Sequence, residues 1–592
     1  MISDLLRKKS LDEILASATD GEGPRLRRNL SVWALTALGI GAVIGAGIFS
    51  TVGTAAAGGA DHLGAGPALP LSFVLTAFAC ALAALCYAEL SSMVPISGSA
   101  YTYSYATLGE LVAWIIGWDL IIEYAVGNIA VAISWSGYFQ ELLRGFGIQW
   151  PVWLGIDYRT SAQAATVVAE TVAAGREPMA ELGAAIVRNA GALEAAPSLA
   201  GLPLVFNLPA FLIVMAITLI LVRGIRESAG FNNWMVVLKL IIIGFFVVLG
   251  GFYVKPENWT PFAPNGFGGI ASAAAIIFFA YIGFDAVSTA AEESRNPQRD
   301  MPRAILGSLA VCTVIYIAVA VVLTGMVPWN QLGTAEPLAT AFSNLGMHWA
   351  TFVVSLGAVF ATTSVLLVFQ LGQPRIFFSM GRDGLLPPFA SRVHPRFGTP
   401  HVTTWITGLF VAFLSGVANI DEIVQLTNIG TLFAFVLVCI GVTVLRLKDP
   451  HRVRPFRVPG GTWLVPVLGA ACCVFLMVWL PPASWWRFVG WLVLGASIYA
   501  GYGWRSSVLG RRAARPERNP GFMNAMTWGF LAAGIGLFAV PHDANLFELV
   551  RTATDSSASG HLRAAIGCAM VVAGALVVAA GVAAGTRRSA AR

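Results

Sequence analysis

Three charged side chains that interrupt long apolar segments are the residues of this chain best placed to carry chemistry. Lys239 is a basic residue well inside an apolar run, and Asp119 and Glu123 stand four residues apart, on one face of a predicted helix. Charge inside a membrane is costly, so such residues are candidates for moving protons or ions. The alternatives are structural: Lys239 reaches the polar edge along its alkyl stem, and each carboxyl is a protonated or hydrogen-bonded structural group.

Backbone groups supply a second kind of chemistry at two interrupted apolar segments. Gly39–Phe49 contains four glycines within nine residues, which loosen a helix. Backbone that leaves helical form at membrane depth is tolerated only where it is buried in protein or lines a cavity. The N–H groups freed there can bind a carboxylate at the start of a half-helix. The alternative is that Gly41 and Gly45 form a small-residue packing face, but a second interrupted segment, Phe278–Asp285, favours the broken helix.

The elements that position these groups must be membrane helices. The chain has 592 residues, of which 57% are hydrophobic and only 11% charged, against roughly 25% charged in soluble domains. Apolar runs of about 20 residues recur, each long enough to cross a hydrocarbon core. All seven cysteines lie in these runs, which argues against a disulfide framework or a metal site. We therefore expect an all-α polytopic membrane protein with about 14 transmembrane helices.

The predicted spans, numbered 1 to 14, cover approximately residues 32–57, 68–90, 110–143, 206–222, 233–254, 268–291, 304–327, 350–372, 402–418, 421–445, 463–481, 485–504, 522–541 and 562–585. We expect residues 1–31 to form a basic cytoplasmic tail, and 32–445 to form a core of spans 1 to 10. Spans 11 and 12 occupy 446–505, and 506–592 hold the last two spans and a basic tail. The Ala- and Glu-rich segment 144–205 is too polar to span, so we expect an external loop that is dispensable for activity.

Charge placement fixes the expected topology. If the N-terminus is cytoplasmic, the inner segments hold 28 of the 37 Lys and Arg residues. This bias follows the positive-inside rule and places both termini in the cytoplasm. The net charge of +6 is therefore a consequence of topology, and we expect no nucleic-acid partner.

The order of the broken spans predicts the architecture. Spans 1 and 6 are both interrupted and each opens a block of five spans, so the second block crosses the membrane in the opposite sense. Such a five-plus-five inverted repeat, with paired broken helices, is typical of secondary transporters. The chain has no Gly-Lys dipeptide, which excludes a P-loop ATPase, and no His-Glu-x-x-His or Gly-x-Ser-x-Gly element of a hydrolase.

Five motifs resemble those of the amino acid–polyamine–organocation superfamily and of its cationic amino acid transporter branch. In chain order they are Gly39–Phe49, Gly98–Tyr105, Tyr281–Thr289, Gly381–Pro387 and Arg454–Gly460. The similarity covers roughly residues 28–505. Two features depart from the usual pattern: segment 144–205 is long, and the last two spans exceed the usual twelve, although the cationic branch includes fourteen-span members.

The resemblance implies a substrate site at the two breaks. The substrate carboxylate would meet the N–H groups around Ala46 and Gly47, and its ammonium would meet backbone carbonyls. The residues implied to supply those carbonyls are Ile44, Phe279, Ala280 and Ile282. Phe279 would also be an aromatic gate over the substrate; the alternative is that Phe278 or Phe279 faces lipid.

Four further residues are assigned roles by the same resemblance, and Asp285 is interpreted from its residue type and position. Lys239 matches a lysine that points at the inner half of span 1, where sodium-coupled relatives hold sodium, with Ser364 as a partner on span 8. Lys239 and then Glu123, at an acidic family position, are the candidates for proton coupling. Tyr316 matches a pocket tyrosine, with ordinary packing as the alternative. Asp285 either contacts substrate or, as we favour, caps the inner half of span 6.

Taken together, the sequence predicts a secondary active amino acid permease of the plasma membrane, not an enzyme. We expect proton-coupled uptake of cationic (arginine, lysine, ornithine) or small neutral L-amino acids. The proton gradient would drive it without a cofactor, metal or catalytic residue. The expected partners are the amino acid and the lipid bilayer, and the sequence makes no prediction of oligomeric state. The alternatives are an amino acid or polyamine exchanger, and a non-transporting amino acid sensor.

Overall fold

A computed structural model describes residues 30–59, 61–94, 99–199, 202–224, 229–285, 287–288, 291, 294–509 and 527–534. The predicted tail 1–31 apart from its last two residues, most of span 13 and all of span 14 lie outside these residues. The described part is almost entirely helical, which confirms the predicted all-α fold class. The protein is a multi-pass membrane protein.

Each of the first twelve predicted spans corresponds to helix. The bounds are span 1, Val32–Val43 and Gly47–Ala57; span 2, Leu69–Met93; span 3, Glu110–Gly145; span 4, Leu208–Arg223; span 5, Ala229–Gly251; span 6, Gly266–Tyr281; span 7, Pro297–Met326; span 8, His348–Arg382; span 9, His401–Val417; span 10, Ile420–Lys448; span 11, Leu464–Val478; and span 12, Pro482–Ser506.

Apolar composition makes these segments helical, and polar caps set several of their starts. The Ser31 hydroxyl accepts a hydrogen bond from the Ala34 N–H at 3.4 Å, and Asn207 and Asn419 cap spans 4 and 10 in the same way. Asn, Ser and Asp are favoured at this position because their side-chain oxygens satisfy N–H groups that the first turn leaves unpaired. Within the described residues, six helices are long and apolar enough to cross a membrane on their own.

The packing of the spans follows the inverted repeat. Spans 2 and 7, spans 3 and 8, and spans 4 and 9 pack against each other, and the breaks of spans 1 and 6 are in contact. In each of these pairs the members are five spans apart, as expected when two five-span blocks interlock in opposite senses. Spans 11 and 12 form a hairpin with a bend of 115°.

Two faces of the protein are distinguished by their loops. The face at which span 1 begins and spans 4 and 8 end, at Val32, Arg223 and Arg382, is called the basic face. The opposite face is called the cap face, because it carries a helical cap. The cap contains Tyr158–Ala173, three shorter helices and a two-stranded antiparallel sheet, Ser198–Leu199 with Leu202–Pro203.

Polar contacts attach the cap to the membrane-spanning helices. Arg159 forms an ion pair with Glu422 at the start of span 10. Arg188 lies 3.3 Å from Glu141 of span 3 and 3.9 Å from Glu336, in the loop before span 8. The cap and the core enclose a cavity of about 430 Å³ above the outer end of span 1. That the cap is dispensable stays a prediction.

Candidate transport site

The two broken spans touch through their backbones at two glycines. Span 1 is bent by 42° between Val43 and Gly47. A Cβ atom on Gly47 would lie 2.2 Å from the Ala280 Cα. Gly283, just after the helical part of span 6, has φ +115°, and a Cβ there would lie 2.9 Å from the Ala42 carbonyl oxygen. Only glycine permits this approach, so the glycines serve close packing as well as the interruption of the helices.

A tyrosine hydroxyl joins the two breaks. Tyr316 of span 7 is fully buried, and its Oη lies 2.9 Å from the Val43 carbonyl oxygen of span 1 and 2.9 Å from the Ala280 carbonyl oxygen of span 6. Breaking a helix leaves carbonyls without their intrahelical donors, and these two share the single proton of this hydroxyl. Tyr316 therefore fixes the relative position of the breaks, a role more specific than ordinary packing.

The Lys239 ammonium lies on the inner side of the span 1 break. Its side chain is 1% exposed, and Nζ donates to the carbonyl oxygens of Gly41 at 2.8 Å and Ile44 at 3.1 Å. The alternative that Lys239 reaches the membrane edge is wrong, because its ammonium is buried against span 1. The expected partner Ser364 is half-buried and forms no hydrogen bond with Lys239 within the described part of the chain.

Carboxyl groups collect on the other side of the breaks, between spans 3, 6 and 10. Glu123 lies in a π-helical turn, Ile122–Val126, and its carboxyl contacts the side chains of Asp285 and Thr431. Asp119 is buried one turn earlier and has no hydrogen-bond partner among the residues that the structure describes. π-Helical turns are rare and occur often at functional sites. This carboxyl cluster is formed by Asp119, Glu123 and Asp285.

Comparison with known proteins agrees with this geometry. Residues 30–498 match the family model described as Amino acid permease. The chain is 45% identical to the branched-chain amino acid permease BcaP of Bacillus subtilis and 45% identical to the methylthioribose transporter of that organism. Each alignment covers 86% of this chain and 100% of the relative. Human cationic amino acid transporter 4 is 36% identical over 75% of this chain and 63% of that protein.

The chain belongs to the amino acid permease family. The resemblance to the amino acid–polyamine–organocation superfamily is thereby confirmed, and the protein is a permease rather than an enzyme.

In this permease Phe278 and Phe279 are both buried, 1% and 5% exposed. The alternative that one of them faces lipid is wrong. Phe278 packs against Phe435 of span 10 with ring centroids 5.6 Å apart. The Phe279 ring extends toward Gly127 of span 3, where Phe369 of span 8 also lies. A ring that crosses from span 6 to spans 3 and 8 is suitably placed to gate the space beside the breaks.

Two polar residues that the sequence analysis did not identify also support the breaks. The Asn428 amide of span 10 donates to the carbonyl oxygens of Ala275 and Ile276, each at 2.8 Å, just before the break of span 6. The Tyr138 hydroxyl of span 3 donates to the Phe49 carbonyl in the outer half of span 1. A buried amide inside an apolar span is itself a signal of function, and Asn428 could have been found in this way.

Three of the four carbonyls implied to bind the substrate ammonium are already hydrogen-bonded in this structure. Ile44 accepts from Lys239, Ala280 from Tyr316, and the Phe279 carbonyl from the Ile282 N–H at 3.3 Å. Each carbonyl oxygen has two lone pairs, so a second donor can still bind. The outer half of span 1 starts at Gly47, and the first N–H groups of a helix have no intrahelical acceptor. The backbone chemistry for a zwitterion is therefore present at the breaks.

Proposed function

We propose that this permease takes up L-amino acids together with protons across the plasma membrane, from the cap face to the basic, cytoplasmic face. The substrate would bind between the breaks of spans 1 and 6, its carboxylate on the N–H groups at Ala46 and Gly47. Its ammonium would bind the carbonyls at Ile44, Ala280 and Ile282. The positive end of the outer half-helix favours the carboxylate, which supports recognition of the zwitterion whatever the side chain.

The observation that carries proton coupling is the position of Lys239. Its ammonium is buried and donates to two buried carbonyls at the break of span 1, and it forms no ion pair within the described residues. A buried ammonium without an ion pair is costly to keep, so burial favours loss of the proton and a change that admits water favours its uptake. Loss of the proton removes a donor and the charge that holds span 1 to span 5. Protonation and the position of span 1 would thus be linked.

Comparison of the relatives supports an uncharged substrate ahead of a cationic one. The two bacterial relatives at 45% identity are named for branched-chain amino acids and for methylthioribose, while the human relative named for cationic amino acids is 36% identical. Both ligands named for the bacterial proteins carry an uncharged, largely apolar group. We therefore propose neutral L-amino acids with small or branched side chains first, and arginine, lysine or ornithine second.

Proteoliposomes containing the purified permease test the proposal. Uptake of labelled leucine, driven by an inward proton gradient, should exceed uptake without the gradient, and unlabelled isoleucine and valine should compete better than arginine. Lys239→Ala should keep exchange of internal for external leucine but lose accumulation driven by the gradient. Lys255→Ala, at an exposed lysine of the cap face, is the matched control and should behave as the wild type.

Other outcomes would identify the alternatives. Uptake that requires an internal amino acid and ignores the proton gradient would identify an exchanger. Binding without any uptake or exchange would identify a sensor. Full gradient-driven accumulation by Lys239→Ala would move proton coupling to Glu123, whose carboxyl is the next candidate because it contacts a second carboxyl, Asp285.

A further inference from the structure

A second cavity, unrelated to the breaks, opens on the basic face. It has a volume of about 410 Å³ and lies between the ends of spans 4 and 8 and the start of span 9. Three arginines line it, each from a different element: Arg223 ends span 4, Arg375 lies in the last two turns of span 8, and Arg396 lies in the loop that precedes span 9. Exposed arginines from three different elements thus border one space.

These arginines have no acidic partners in the described part of the chain. None of the ion pairs formed there includes Arg223, Arg375 or Arg396. By contrast, two other arginines of the basic face, Arg446 and Arg454, both form ion pairs with Glu89. The positive-inside rule explains arginines in these loops, but it does not require three of them to share one cavity. Three like charges in one cavity repel each other, and a bound anion would relieve that repulsion.

The rest of the lining suits an anion that carries an apolar group. Thr399, Pro400 and Thr404 line the cavity where span 9, a helix of 17 residues, begins, and the start of a helix favours negative charge. Leu221 and Leu371 supply an apolar wall.

A buried polar contact forms the floor of the cavity. Gln370 is 1% exposed; its Oε1 accepts from Asn128 of span 3 at 2.7 Å, and its Nε2 donates to Thr218 of span 4 at 3.3 Å. Because the Gln370 amide is already hydrogen-bonded to the protein, the arginines are the groups left to bind a ligand.

We propose that this cavity binds a phosphate group, either the headgroup of an anionic phospholipid or a free phosphate. Arginine guanidinium groups bind phosphate oxygens through paired, charge-assisted hydrogen bonds. A ligand held by Arg223, Arg375 and Arg396 links spans 4, 8 and 9, so its binding stabilises the part of the core against which spans 1 and 6 move. The site is separate from the transport site, and its failure would leave the proposed transport function untouched.

Thermal unfolding of the full-length permease in nanodiscs tests the site. In phosphate-free buffer, discs of phosphatidylglycerol should raise the melting temperature by several degrees over discs of phosphatidylcholine. Inorganic phosphate, added to phosphatidylcholine discs, should give the same rise if the natural ligand is soluble, and little rise if the lipid backbone contributes. The variant Arg375→Gln/Arg396→Gln should lose most of whichever rise the wild type shows.

The matched control is Arg392→Gln, an exposed arginine of the same loop that does not line the cavity; it should keep the full rise. An equal loss in the control would mean general surface charge and would overturn the site, as would the absence of any rise in the wild type. If the double variant does not fold, Arg396→Gln alone replaces it. Native mass spectrometry should then show fewer retained phosphatidylglycerol molecules for Arg396→Gln than for Arg392→Gln, and equal retention would overturn the proposal.

Discussion

The two buried charged sites beside the breaks are built in opposite ways. Lys239 is hydrogen-bonded to two backbone carbonyls, of Gly41 and Ile44. In the carboxyl cluster, Glu123 contacts another acid, Asp285, and Asp119 has no hydrogen-bond partner among the described residues. A satisfied buried charge stabilises the conformation in which it is seen, whereas an unsatisfied buried polar group requires an explanation of its own.

This difference predicts different roles for Lys239 and for the carboxyl cluster. The Lys239 contacts exist only while the broken part of span 1 stays against span 5, so Lys239 responds to the movement of span 1. The carboxyl cluster joins spans 3, 6 and 10. Two carboxylates in contact repel each other, and a shared proton removes that repulsion. Lys239 is therefore expected to link protonation to movement, and the carboxyl cluster to tune the charge next to the substrate.

The largest effect should come from a change that forces the breaks of spans 1 and 6 apart. Gly47→Ala places a Cβ 2.2 Å from the Ala280 Cα, so the two breaks must separate and the substrate site is lost. We expect leucine binding, measured by thermal shift, and transport to fall at least tenfold. Gly47→Leu should abolish both.

Gly244→Ala in span 5 is the control, because nothing lies within 4 Å of a Cβ at that position. It should transport normally. Normal leucine affinity in Gly47→Ala would show that the breaks can separate without loss of the site, and the assignment of Gly47 to substrate binding would then be wrong.

The next effect separates the two charged sites. Glu123→Gln removes the charge of Glu123 but keeps its shape and a hydrogen-bonding group. If Lys239 couples transport to protons, Glu123→Gln should keep most gradient-driven leucine accumulation, with a changed affinity, while Lys239→Ala loses it. The measurement is the accumulation ratio in proteoliposomes at a series of external pH values. Loss of accumulation in Glu123→Gln and not in Lys239→Ala would reverse the roles assigned to the two sites.

A smaller effect is expected from Tyr316→Phe. The hydroxyl donates to two buried carbonyls, each 2.9 Å away, and leaving buried carbonyls unsatisfied costs about 1–3 kcal/mol. Leucine affinity should fall about tenfold while the protein stays folded. Tyr253→Phe, at a tyrosine 40% exposed, should have no effect. An unchanged affinity in Tyr316→Phe would reduce Tyr316 to the ordinary packing residue that the sequence analysis left open.

The sequence predicted what depends on local pattern. Apolar length located spans 1 to 12, and glycine content located the break of span 1, because both are properties of a single segment. The inverted repeat followed from the order of the broken spans. The burial of Lys239 against span 1 was also expected, but only through the family resemblance.

The sequence did not predict what depends on contacts between distant segments. Lys239 was expected beside Ser364, but its ammonium donates hydrogen bonds to backbone carbonyls. Every residue has a backbone carbonyl, so such an acceptor carries no signal in the sequence. The same holds for Tyr316 and Asn428, whose acceptors are carbonyls of other spans. The sequence predicted segment 144–205 as an external loop but not its attachment to the membrane-spanning helices, which ion pairs such as Arg159 with Glu422 provide.

The smallest effect concerns the cap, which lies far from both charged sites. Burial and the nearby Glu141 raise the pKa of Glu336 to about 7, even though Arg188 acts in the opposite direction. Burial likewise raises the pKa of Asp157, in the cap, to about 6. If opening of the cap returns Glu336 to water and to its ordinary pKa, the closed form binds the proton more tightly than the open form. Acid pH therefore stabilises the closed cap relative to the open cap. The closed cap loses this stabilisation as the pH rises from about 4.5 through 7.

Cysteine accessibility measures this change. A cysteine in place of Ala192, which is fully buried in the cap, should react with an impermeant maleimide several-fold faster at pH 8 than at pH 5.5, after correction for the reactivity of a free thiol. The rise should be no more than about tenfold per pH unit, since one proton is released. With Glu336→Gln the corrected rate should lose most of this dependence, because the amide does not titrate. A dependence that survives in Glu336→Gln would move the effect to Asp157, and a corrected rate that falls as the pH rises would mean that Arg188, rather than burial, decides whether the cap stays closed.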